Sequence, residues 1–202
     1  MSKIGIYIGA FDPVHTGHLE FANEAVAQNK LDHLYFLVEP KPKYNQGVKA
    51  YNHRVNMVML GVDNDSKLGT IILKTKAGID EYLPIIQNRF KSEEIYLVVP
   101  QESLTNFIKW PYLISNGATK LNVAIGISHG NAVDVIAKLE LLSQTSGVKF
   151  TYSFFSYGCE PINLKSILVR RSLRKGNKPA EIPGPVYNYI SKQNLYFSAS
   201  SA

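Results

Sequence analysis

The chain has one cysteine, Cys159, so a disulfide within it is excluded, and the residue is expected to be a plain structural thiol. It has no apolar run near the ~20 residues that a helix needs to cross a bilayer. It also lacks long blocks of one charge. The 22 Lys and Arg against 16 Asp and Glu leave a formal charge of +6, and the basic residues gather only loosely, at 41–54 and 165–178. His, Cys, Asp and Glu show no metal-ligand spacing, which argues against zinc. A hydrophobic share of 45% with 19% charged residues excludes a disordered chain. Nothing repeats and no linker divides the chain. The expectation is one domain over 1–202 with a frayed tail at 198–202, in a cytoplasmic setting.

What is present is an alternation of two periodicities. Short runs rich in Ile, Val, Leu, Tyr and Phe predict strands at 3–9, 34–39, 70–74, 94–99, 121–127 and 148–155. Helical patterns fall at 17–28, 51–62, 79–90, 103–115, 132–143, 164–175 and 185–192. Strand and helix in turn predict an α/β fold, a Rossmann-like parallel sheet with helices on both faces. Right-handed crossovers place the strand C-terminal ends on one edge, where ligands of such sheets bind.

The first strand ends at that edge in Gly9-Ala10-Phe11-Asp12-Pro13-Val14-His15-Thr16-Gly17-His18. Gly9 is expected to let backbone approach a ligand, and Gly17 to let the next helix begin close to one. The N–H groups of a first helical turn suit a phosphate. Two imidazoles three residues apart can face one side and stabilise charge developing at phosphorus. Taken singly, Asp12 is a turn cap and Phe11 a core residue as readily as site residues.

His15-Thr16-Gly17-His18 resembles the signature of the HxGH nucleotidylyltransferase superfamily. The longer string from Gly9 to Leu19 resembles in particular the nicotinate/nicotinamide mononucleotide adenylyltransferases. The resemblance implies ATP with magnesium and direct attack of a substrate phosphate on the α-phosphorus, with pyrophosphate leaving. It implies catalytic roles for His15, His18 and Arg170. The ATP-binding set it implies is Gly9, Ala10, Phe11, His15, Gly17, His18, Lys43, Ser166 and Arg170.

Three further segments carry the likeness. Val38-Glu39-Pro40-Lys41-Pro42-Lys43 with His53-Arg54 is similar to the family's post-strand loop and next helix start; Lys43 and Arg54 are candidate phosphate contacts, or a solvated basic loop. Asn163-Leu164-Lys165-Ser166-Ile167-Leu168-Val169-Arg170 is similar to its ISSTxIR motif, with Asn163 a candidate cap. Lys165 stands at the first serine and Ile167 at the threonine, so a hydroxyl is lost at each and Lys165 supplies charge in its place. Residues 182–196 resemble its closing helix.

The acceptor half departs further. Pro100-Gln101-Glu102 stands for the family's Gly-x-Asp, and Lys76-Ala77-Gly78-Ile79-Asp80 for a threonine-bearing helix start. Arg54, Gly78, Glu102 and Trp110 are the acceptor-binding candidates, Trp110 either stacking on a ring or packing in the core. The expected partners are ATP and a phosphorylated small molecule, with neither nucleic acid nor membrane, and a homo-oligomer left open. Nicotinate or nicotinamide mononucleotide leads as acceptor. Phosphopantetheine, a sugar or alcohol phosphate, and a nucleotide-binding protein without turnover are the alternatives.

Overall fold

A computed structural model describes residues 1–42, 47–74, 79–104, 120–128, 132–158 and 162–197. Lys43, Gly78, Trp110, Cys159 and the tail at 198–202 lie outside the described residues, as does most of the helix expected at 103–115.

Six parallel strands form one sheet in the order β3-β2-β1-β4-β5-β6. They are β1 (Lys3–Gly9), β2 (His33–Val38), β3 (Leu68–Ile71), β4 (Glu94–Pro100), β5 (Lys120–Ile127) and β6 (Lys149–Ser156). Among the described residues the helices are α1 (Thr16–Asn29), α2 (Tyr51–Val62), α3 (Ile79–Arg89), α4 (Ala132–Ser146), α5 (Ile162–Arg174) and α6 (Gly184–Lys192). A 3-10 turn, Gln101–Ser103, follows β4.

Period-two alternation in β1 sorts its side chains to two cores. Ile4 and Ile6 join Leu97, Val99, Val123 and Ile125 against Tyr82, Leu83 and Ile86 of α3 and Val135 and Leu139 of α4. Tyr7 points the other way, into a core built from Phe21 of α1, Val58 of α2, Val169 and Leu173 of α5 and Val186 of α6. Helices therefore cover both faces of a Rossmann-like sheet. Gly126 of β5 serves this second core: a Cβ there would run into the Phe21 ring.

The chain leaves β1 for β2 on one side and reaches β4 on the other. This reversal opens a crevice at the carboxyl ends of β1 and β4, the usual ligand position in such sheets. β3, expected at 70–74, is displaced at both ends to Leu68–Ile71. Pairing with β2 stops at Leu37↔Ile71. Two residues on, the Tyr51 hydroxyl accepts from the Leu73 N–H at 2.8 Å and donates to the Leu73 carbonyl at 3.2 Å, which replaces ladder bonds with side-chain ones.

Candidate active site

The loop between β1 and α1 is a strained turn over an aromatic floor. Phe11 has a φ of 48°, left-handed backbone that a side chain adopts only under constraint. Its ring is buried, 5.2 Å edge-on to Tyr7 and 5.1 Å from Phe36. A Cβ on Gly9 would lie 3.0 Å from Cζ of Phe11, so the missing side chain makes room for that ring.

His15 precedes α1 with extended backbone, and its N–H donates to Nδ1 of His18 at 3.3 Å. This is one half of a capping box, with histidine in place of the usual glutamate. Because Nδ1 of His18 accepts, a neutral ring carries its proton on Nε2. Burial, then the charges of His15 and Lys165, push His18 well below the ordinary histidine pKa, so it is neutral at physiological pH. The two imidazoles lie 3.8 Å apart between centroids, tilted by 36°, and Phe11 closes edge-on over His18 at 5.2 Å. An uncharged ring with a fixed N–H is a hydrogen-bond donor to an anion and takes no part in charge repulsion with a neighbouring cation.

The C-terminal half of the chain docks on this loop through α5. Its stripe at four-residue spacing brings Ser166 to His15, Oγ to Nε2 at 2.9 Å, and Arg170 to the Asp12 carbonyl, which accepts from Nη1 at 2.8 Å. The two basic clusters thus meet at the histidine turn, since Lys49 of the first donates its N–H to Oδ1 of Asp12 at 3.1 Å. Asn163 sits inside the first turn of α5, not at the residue before it. Ile167 is exposed on this helix.

Arg54 requires a correction. Expected to hold an acceptor phosphate, it is 1% exposed and its guanidinium is occupied by backbone. Nε donates to the Lys49 carbonyl at 2.8 Å, Nη1 to that of Ala10 at 2.8 Å, and Nη2 to those of Glu39 and Pro40 at 2.8 and 3.2 Å. It ties the loops after β1 and β2 together, and Ala10 enters the site through that tie. Phe11 likewise contributes loop shape and core packing, because its side chain is buried beneath the site. Beside Arg54, the Glu39 carboxyl is pushed up to about 7 by burial, with Arg54 opposing.

Glu102 stands just beyond β4 and accepts from the Tyr157 hydroxyl at 3.0 Å. Burial raises the Tyr157 pKa, which keeps that donor protonated. Two features were missed in the sequence. Tyr196 donates its hydroxyl to Oδ1 of Asp12. Glu39 is buried at the sheet edge. No local pattern announces either of them; a tyrosine in Asn194-Leu195-Tyr196 reads as packing. Lys165, read in the sequence as a charge in place of a serine, lies against the start of α1.

The sequence model of the cytidylyltransferase-like family matches residues 6–149. The chain belongs to that family. As a cytidylyltransferase-like protein it resembles two full-length relatives. It is 28% identical to the probable nicotinate-nucleotide adenylyltransferase of Dictyoglomus turgidum, over 96% of this chain and 95% of that one. It is 23% identical to the nicotinate-nucleotide adenylyltransferase of Bacillus subtilis, over 98% and 100%. The Plasmodium falciparum nicotinic acid mononucleotide adenylyltransferase complexed with NaAD shares its fold, with a TM-score of 0.70 at 16% identity, covering 97% of this chain and 98% of that one.

Proposed function

We propose that this cytidylyltransferase-like chain transfers AMP from ATP to a pyridine mononucleotide, with nicotinate mononucleotide the preferred acceptor. An oxygen of the acceptor phosphate attacks the α-phosphorus. The new P–O bond forms as the bond to the bridging α–β oxygen breaks, and pyrophosphate leaves. The observation that carries the reading is the His15–His18 pair: a neutral imidazole with its proton on Nε2, packed against a second one tied to Ser166. A phosphate monoester already bears its attacking charge, so the site needs donors and position, not a base. In this reading His18 and His15 stabilise the phosphoryl charge, Arg170 clamps phosphate from α5, and Ser166 orients His15. Gly17 lets the two helices approach, and Lys43 adds charge.

The acceptor follows from relatives named for nicotinate nucleotide that align along nearly all of both chains. Gly78, Glu102 and Trp110 are the residues assigned to it. Arg54 serves it through the loops. Among the described residues no three His, Cys, Asp or Glu come together. Oδ1 of Asp12 is held by two donors and Glu102 by Tyr157. The donor set thus fits magnesium that enters on the triphosphate, the common habit of that ion, where it would neutralise phosphate charge. Among the described residues no helix is long and apolar enough to cross a membrane; a cytoplasmic setting belongs to this reading, supported by the lone cysteine.

Pyrophosphate release is the test. ATP or CTP is offered with nicotinate mononucleotide, nicotinamide mononucleotide, phosphopantetheine and sugar or alcohol phosphates. ATP with nicotinate mononucleotide is expected to give the highest kcat/KM. Turnover with only a different phosphate would move the acceptor assignment, and tight ATP binding with no release from any acceptor would remove the enzyme reading.

A further inference from the structure

Lys165 is a cation of the site that the reaction above leaves without a task. It leaves α5 one residue before Ser166, whose hydroxyl is held 2.9 Å from the His15 ring. Its stem crosses the start of α1. A Cβ on Gly17 would lie 2.9 Å from Cδ of Lys165 and 3.1 Å from Nδ1 of His15. The absent side chain at Gly17 is therefore a groove that seats the lysine methylenes against the histidine turn. From Cδ the ammonium is two bonds further along, and its charge is felt at His18. A cation set beside a histidine that is itself kept neutral gains nothing there unless an anion joins them. Arg170, one turn further along α5, approaches the same loop.

We infer that the Lys165 ammonium grips the triphosphate of the bound nucleotide, supplying a full charge where the resembled motif carries a serine hydroxyl. The inference rests on the nucleotidyl-transfer reading for its ligand. Lysine binds phosphate as a point charge, so the contact tolerates the small shifts that a single hydroxyl does not. Chemistry proceeds through the histidine pair, and Lys165 acts on nucleotide affinity.

Calorimetry on the full chain tests this with a non-hydrolysable ATP analogue and with adenosine, comparing wild type, Lys165→Gln and Lys165→Arg. Glutamine keeps most of the stem on Gly17. It is expected to weaken the analogue about tenfold to a hundredfold, the size of one charge-assisted hydrogen bond, and to leave adenosine unchanged. Arginine is expected to restore most of the loss, and KM for ATP in Lys165→Gln to rise far more than kcat falls. An unchanged affinity for the analogue overturns the inference. So does an equal loss for adenosine, which would make Lys165 a packing residue. If the wild type shows no turnover with any acceptor while Lys165→Gln still binds the analogue more weakly, the triphosphate contact stands and the enzyme reading alone falls.

Discussion

Removing the Arg54 guanidinium is expected to loosen the site from beneath. Arg54→Met keeps an apolar stem and deletes donors to four carbonyls, at 2.8, 2.8, 2.8 and 3.2 Å. Each hydrogen bond from a charged group contributes about 1.5–3 kcal/mol, but four on one side chain do not add, because freed loop carbonyls partly regain water. Allowing for that, a loss equal to about two such bonds, ~3–5 kcal/mol, is the expectation here. It is a fifth or more of a domain stability of about 5–15 kcal/mol. Glu39 would lose the cation that opposes its burial and protonate at still higher pH. Arg54→Lys keeps the charge, yet one ammonium cannot reach carbonyls on three segments, so it recovers less than half. Urea unfolding at neutral pH measures both, with the midpoint falling and the slope unchanged. A loss under about 1 kcal/mol, the range of an ordinary surface substitution, coupled to a collapse of phosphate affinity would refute the reasoning and return Arg54 to a direct ligand contact.

Four further outcomes are expected. His18→Ala should lower kcat about a hundredfold to a thousandfold, as loss of a preorganised donor does, while the fold survives with about 1–2 kcal/mol less stability because the His15 N–H loses its cap; a variant within a few fold of wild type would remove His18 from the reacting centre. Glu39 has a folded pKa of about 7 above an ordinary 4.5, so its fold binds the extra proton and stability falls as pH rises through that window, by up to about 3 kcal/mol. Glu39→Gln should flatten that slope in urea midpoints taken across the window, and parallel curves for the two proteins would contradict it. Tyr196→Phe deletes the hydroxyl on Asp12 and should cost about 1–2 kcal/mol by thermal unfolding; an unshifted transition would show the contact to be idle. Gly126→Ala pushes a methyl into the Phe21 ring and should cost about 1–3 kcal/mol, whereas a neutral change would mean that this core yields more than its packing implies.

Legibility followed the range of the interactions. β1 spans Lys3–Gly9 and α2 Tyr51–Val62, both as read from the sequence, because alternation and helical period are written in adjacent residues. β3 moved because its end depends on where β2 stops pairing and on a tyrosine hydroxyl on α2. The histidine turn was visible as a local string after a strand. Arg54 was misread for the same reason that it was noticed: a basic residue at a helix start looks like a phosphate ligand until its carbonyl partners are known.

The order of residues by itself determined an alternating α/β chain, a glycine and histidine turn after its first strand, and two basic clusters. Each depends on neighbours along the backbone. The assembled fold decided which cations face the crevice and which are locked beneath it. It set the tautomer of His18 through the His15 N–H, joined Ser166 to His15, and brought Tyr196 to Asp12. The last two of these contacts close over 151 and 184 residues of sequence, and no spacing rule reaches that far. Burial and hydrogen-bond supply, which assign a charged side chain to ligand or to scaffold, exist only after the sheet has formed.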